Sequence, residues 1–273
     1  MGKLIVSANS WKHLSSLLEK EIDGVLLYID KLSQNSAFYV AVSELEKVDF
    51  KGKEVFVSLN KIMHNSDLAY LRKVMNKLKE KEVKILFYDM AIYNIAKEYD
   101  MVDKLVIYQD HLNASTLTNN FYYDLGIKGS YITSDITEEE LLEIKENSKS
   151  TIMFMVYGYS PIFYSRRYLI KSYLKYINEE NKHDKYMITS DTGVSYPISE
   201  EEFGTTLYSP KVINLINYLD ELEKIDYLVM HSNNIADLEF NNMVDKFINR
   251  EKMDNPYIGF FKTKTIYRVK SGE

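Results

Sequence analysis

The sequence predicts an α/β fold, a (β/α)8 TIM-like barrel. Three observations carry this expectation. Short apolar runs recur eight times along the 273 residues. The runs are apolar throughout rather than alternating, as in strands covered on both faces. Helical patterns fill the gaps between them. A doubly wound open sheet uses the same alternation, but no GxGxxG follows the first run, so the dinucleotide signature is missing.

The elements follow in order. Run 4–8 is succeeded by Trp11, Leu14, Leu17 and Leu18 at helical spacing. Runs 25–29 and 55–59 come next, and Leu68, Leu71, Met75 and Leu78 form a second helical stripe. Runs 85–88, 105–108 and 130–133 precede Thr137 and Glu140, a capping box before Leu141 and Leu142. Run 152–156 is the seventh strand, and 227–230 the eighth. Between these two lies an excursion, 157–226. It contains a helix near 166–177, a charged linker at 178–185, and a hairpin pairing 186–190 with 194–198 around Asp191-Thr192-Gly193. Ser209-Pro210 reads as N-cap and first residue of a helix over 212–222. The expected organisation is one barrel-like domain over 1–273, with 251–273 as a covering segment and 258–269 as a strand or cover.

At 45 % hydrophobic residues the chain can bury a large core. It has no cysteine, which excludes disulfides, thiolate nucleophiles, cysteine-ligated zinc and cysteine-ligated iron–sulfur clusters. A net charge of −6 provides no global attraction for nucleic acid. The N-terminal apolar run is too short for a signal peptide, and no stretch approaches the ~20 residues needed to cross a bilayer. The expectation is a cytoplasmic protein with no membrane partner and no cofactor.

In a parallel barrel, residues just past each strand converge on one face. Those positions hold Asn9, Asp30, Asn60, Asp89, Asn113, Asp135, Tyr157 and His231. Polar residues are expected there in any barrel, because strand ends meet solvent. Asp89, Asp135 and His231 are the candidate catalytic groups, since a mouth that excludes water moves carboxylate pKa values apart. Asp135 has a competing role near a helix N-terminus. His111 lacks neighbours spaced for zinc, and no GxSxG accompanies a serine. Asp191-Thr192-Gly193 occurs once, whereas an aspartic peptidase needs two facing carboxylates, so it reads as a turn. Arg166 and Arg167 stand among Tyr157, Tyr159, Tyr164 and Tyr168, with Lys171 and Lys175 beyond. They fit a clamp for an anionic small molecule, a stacking surface for RNA, or the solvated face of an amphipathic helix. Asn60, Asn113, Ser115 and Tyr157 complete the candidate ligand-binding set. The 23 tyrosines read as a coding bias rather than a binding surface.

Several stretches resemble the collagenase-like peptidase family, peptidase family U32. The string from Tyr157-Gly158-Tyr159-Ser160-Pro161 to Ser165-Arg166-Arg167-Tyr168-Leu169 is similar to the family's His-Gly, Tyr-Ser-Gly-Arg-Cys and Leu-Leu-Ser progression. Asn113-Ala114-Ser115-Thr116, Leu125-Gly126, and Ser134-Asp135 followed by Glu138-Glu139-Glu140 resemble further family segments, as do Ser58-Leu59-Asn60 and Tyr196-Pro197-Ile198. The similarity is densest over 110–175. Departures are as informative. Tyr157 stands for the motif His, Asp135 for the motif Glu, and Pro161 and Tyr168 for two cysteines. The resemblance implies either a factor in tRNA uridine 5-hydroxylation or a non-catalytic partner of a cluster-bearing paralogue, with tRNA and that paralogue as partners. The family label implies a collagenase-like peptidase, and a degenerate barrel implies a binding protein for an anionic small molecule.

Overall fold

The computed structural model describes residues 2–109, 112–180 and 186–263. His111, the 181–185 part of the linker and the tail beyond 263 lie outside the described residues. The chain runs β1 (Lys3–Ser7), α1 (Trp11–Leu18), β2 (Gly24–Ile29), β3 (Tyr39–Val40), β4 (Glu54–Leu59), α2 (Leu68–Lys79), β5 (Lys84–Phe87), α3 (Met90–Glu98), β6 (Leu105–Tyr108), α4 (Thr116–Asp124), β7 (Gly129–Ile132), α5 (Glu138–Asn147) and β8 (Thr151–Gly158). The excursion follows as β9 (Pro161–Ser165), α6 (Leu169–Tyr176), β10 (Tyr186–Thr189), β11 (Ser195–Glu201), β12 (Gly204–Tyr208) and β13 (Ile213–Asn214). β14 (Tyr227–Met230) and α7 (Asp237–Asn249) complete it.

Eight strands close a parallel barrel: β1 pairs with β2, then β4, β5, β6, β7, β8 and β14 follow, and β14 returns to β1. Every residue of β2, β6, β7 and β14 is buried, which explains why these runs show no polar alternation. Side chains of opposite parity then serve two cores, one inside the barrel and one under the helices. Local signals set the helix starts. Ser10 accepts the backbone N–H of His13, and Thr137 and Glu140 form the expected capping box.

A second sheet, antiparallel, has the order β10–β11–β12–β9 and is built wholly from the excursion. The expected hairpin is its β10–β11 corner. Gly193 takes φ +81°, and its N–H donates to the Ser190 carbonyl at 2.9 Å, so Asp191-Thr192-Gly193 is a turn.

One expectation gave way to tertiary pairing. The helix expected over 212–222 does not form: Ile213 and Asn214 add antiparallel to Gly158 and Tyr157 at the end of β8, and only a 3-10 turn, Ile216–Tyr218, follows. The Leu215 N–H donates to the Val156 carbonyl at 2.9 Å, and Ile213, Leu215, Ile216, Leu219 and Leu222 are buried. An open strand edge offering both hydrogen bonds and apolar cover outweighs a helical pattern of this length. After β2 the chain makes a 3-10 turn, Val42–Lys47. Phe261 is buried against Phe154 and Tyr218, with ring centroids 6.2 and 5.4 Å away. Among the described residues no helix is long and apolar enough to cross a membrane.

Candidate functional site

The C-terminal ends of the barrel strands meet in a narrow, partly solvent-open pocket with a cavity volume of about 20 Å³. Barrel residues Tyr28, Tyr108, Tyr131, Met155 and His231 form its floor. Tyr159, Ser160, Pro161 and Tyr208 of the excursion lean over it. Five of the lining residues are tyrosines, and none is an Asp, Glu, Lys or Arg.

His231 is the centre of this floor. It follows β14 directly, and its N–H donates to the Tyr157 carbonyl at 2.8 Å, continuing the strand ladder. Gly158 makes that approach feasible. Its φ is +138°, and a Cβ there would lie 2.9 Å from the His231 carbonyl oxygen and 3.0 Å from its Cβ. The ring then reaches across the barrel. Its Nδ1 is 3.1 Å from the Tyr28 hydroxyl, and its Nε2 is 2.8 Å from the Tyr131 hydroxyl. Burial pushes the imidazole down from 6.5 to about 4, so it is neutral at pH 7. A neutral imidazole has one donor and one acceptor nitrogen. One tyrosine therefore donates to it and the other accepts from it. Tyr108 packs edge-on to Tyr131, centroids 4.6 Å apart.

A polar network ties the antiparallel sheet to the rim. Glu201 of β11 accepts the Tyr39 hydroxyl and, at 3.3 Å, the Asn35 N–H. Asn35 has φ +63° and lines the pocket. Its Oδ1 accepts the Thr206 hydroxyl at 2.5 Å. Burial raises the Glu201 carboxyl above its ordinary range, only partly opposed by these hydrogen bonds. Burial likewise raises the Tyr208 phenol, whose oxygen accepts Asn233 Nδ2 at 3.1 Å.

Of the residues expected at the mouth, the structure brings His231 to the pocket and sends most others elsewhere. Tyr157 belongs to β8 itself and points outward, packing against Phe240 and Phe247 of α7 at 5.9 and 6.1 Å. Strand parity causes this: neighbouring residues of one strand face opposite layers. Asp89 accepts the N–H of Ala91 as the α3 N-cap and the N–H of Met63, each at 2.9 Å, so both oxygens are held by backbone. Asn60 clamps the Gln34 backbone through both ends of its amide. Asn113 donates to Asn119 and to the Tyr131 carbonyl. Asn9 donates to the Ile235 carbonyl and to Asp237. Ser115 stands at the α4 N-cap, and Asp30 is half-buried just past β2. Asp135 is exposed, and its charge bears on Tyr257. Arg166 sits 3.3 Å from His64 Nδ1, and Arg167 is exposed; neither lines the pocket.

The residues that sequence reasoning missed are Tyr28, Tyr108, Tyr131, Tyr208 and Glu201. The signal was present for three of them. Tyr28 is the last but one residue of β2, Tyr131 the last but one of β7, and Tyr108 ends β6. These three tyrosines stand at strand ends on the C-terminal face of the barrel.

The residues present do not fit a cysteine-held iron–sulfur cluster. The chain has no cysteine, Pro161 offers no ligand atom in its side chain, and the Tyr168 hydroxyl donates to the Glu202 carbonyl at 2.7 Å. Among the described residues no group of three or more His, Asp or Glu is placed to hold a metal ion.

Comparison with known proteins gives three findings. The profile of peptidase family U32 matches residues 9–233. The chain is 30 % identical over 180 residues to tRNA hydroxylation protein P2 of Bacillus subtilis (strain 168); the match covers 63 % of this chain and 58 % of that protein's length. Two solved structures from Thermotoga maritima are similar at low identity. A glycerol uptake operon antiterminator-related protein matches at 14 % identity and TM-score 0.36, covering 56 % of this chain and 82 % of its own. Orotidine 5′-phosphate decarboxylase matches at 6 % identity and TM-score 0.44, covering 90 % and 98 %.

Proposed function

Because the chain belongs to peptidase family U32, we propose that it is a factor in tRNA uridine 5-hydroxylation that acts without a cluster of its own, beside a cluster-bearing paralogue. The observation that carries this reading is the 30 % identity to tRNA hydroxylation protein P2. The pocket supports it. Its tyrosine rings offer faces on which an uncharged planar ring such as a pyrimidine base can stack at the mouth. They suit an anion less, since no cationic side chain lines the pocket. A chain without cysteine cannot ligate such a cluster itself, which supports placing the redox step on a partner. The peptidase reading gains no support here, since both ring nitrogens of His231 face tyrosines rather than a serine or a carboxylate.

Deleting the gene and quantifying 5-hydroxyuridine nucleosides in bulk tRNA by mass spectrometry tests the proposal. The expected result is a fall in the modification, restored by the wild-type gene and not by His231→Gln. Unchanged modification in the deletion strain would overturn it.

A further inference from the structure

We propose that the outer edge of β10 and the groove beside it form the interface at which two copies of this chain pair about a two-fold axis. The groove lies between α6 and β10, has a volume of about 510 Å³, and is lined by Leu169, Tyr173, Leu174, Met187, Ile188 and their neighbours. Leu169, Tyr173 and Tyr176 recur on one helical stripe, with Tyr173 62 % and Tyr176 83 % exposed. Met187 and Ile188 are 57 % and 47 % exposed although they point to opposite faces of their strand.

β10 ends its sheet, and among the described residues no strand pairs with its outer edge. The alternation of the ladder identifies the open groups. Ser190 donates to the Val194 carbonyl, so the hydrogen-bonded register with β11 continues through Ile188 and Tyr196. Met187 faces Pro197, which has no N–H to give. The backbone N–H and C=O of Met187 and Thr189 therefore point outward. Exposed edges are normally blunted by charge, proline or a bulge. Residues 186–189, Tyr-Met-Ile-Thr, carry none of these.

A second copy is the occupant this edge fits. Antiparallel pairing of Met187 with the partner's Thr189, and of Thr189 with the partner's Met187, makes four hydrogen bonds around an axis at Ile188 and satisfies each edge with itself. Leu169, Tyr173, Tyr176, Met187 and Ile188 together leave on the order of 600 Å² uncovered, divided between the two faces of β10. That approaches the ~800 Å² each partner buries in a standard interface. The nearby charges are of both signs, Lys171 and Lys175 against Glu179 and Glu180, which suits a self-complementary surface and not a polyanion.

Sedimentation equilibrium of the full chain, from ~1 to ~100 µM, tests this. The expected mass is twice the 32.0 kDa chain. Ile188→Lys sets like charges across the axis, and Met187→Pro removes an outward donor while sparing the β11 ladder. Both are expected to return the mass to 32.0 kDa with unchanged circular dichroism. A wild-type chain that is monomeric throughout, a dimer that neither substitution affects, or a face occupied only by a different protein would overturn the proposal.

Discussion

His231 links the pocket to a measurable pH dependence. Its folded value is about 4 against 6.5 when free. Because the folded value is depressed for a base, the unfolded chain binds a proton that the folded chain refuses. Stability is therefore undiminished above pH 6.5 and falls as the pH drops from there toward 4. Integrated from pH 7 to pH 5, the loss is about 2 kcal/mol, approaching about 3 kcal/mol below pH 4. The residue as a whole is only 8 % exposed, so solvent screening takes little from this figure. Other groups add their own pH dependence: His13 is also lowered by burial, and the raised Glu201 acts with the opposite sign. The reading is therefore the difference between wild type and His231→Gln, in which the amide replaces the ring without titrating. Urea unfolding at pH 7 and pH 5 measures it. The wild type should lose about 2 kcal/mol more than the variant between these pH values. An equal loss in the two proteins would refute a buried neutral imidazole.

Other outcomes follow from the same contacts. Tyr131→Phe, which leaves His231 Nε2 unpaired in the barrel, should cost about 1–3 kcal/mol at pH 7, read as a lower urea midpoint. Gly158→Ala should cost more than about 1 kcal/mol and shift the His231 imidazole resonances in NMR spectra, because its Cβ meets the His231 backbone at a positive φ. Glu201→Gln should flatten a loss of stability with rising pH: a raised carboxyl holds its proton in the folded chain where the unfolded chain has released it near 4.5. At the opposite end of the barrel, burial works to raise Glu54, but bonds from Lys3, Lys84 and Tyr227 outweigh it and bring the carboxyl to about 2. Its contribution is present above 4.5 and lost as pH falls through 2. After allowing for its partial exposure it is about 1–2 kcal/mol, so in thermal melts Glu54→Gln should be less stable than wild type at pH 5, with the difference closing toward pH 2 and the acid-induced fall correspondingly shallower.

Much of the barrel was legible because each strand reports its own burial. Runs such as 25–29 and 105–108 lie between two apolar layers and cannot alternate. The capping box at Thr137 and the turn at Gly193 were legible for the same reason: their partners lie within a few residues. The helix expected over 212–222 failed because its competitor, the end of β8, lies more than fifty residues earlier in the chain. The candidate site was less legible. Asp89 and Asn113 stood at the right ends of their strands, yet Asp89 is held by the Met63 and Ala91 backbone, and Asn113 donates to the Tyr131 carbonyl of β7 and to Asn119 of α4.

The sequence by itself determined the alternation that builds the barrel, the place of the excursion and, through its missing cysteines, the chemistries that no folding could supply. Only the tertiary structure decided which side chains meet. His231 lies 203 positions from Tyr28 and 100 from Tyr131, and the closure of the barrel alone brings them within hydrogen-bonding reach. Tyr157, although adjacent in the ladder, is turned into the helix layer. Local pattern fixes whether a residue is in a strand. The facing of that residue, and the partner opposite it, depend on register across strands far apart in the chain.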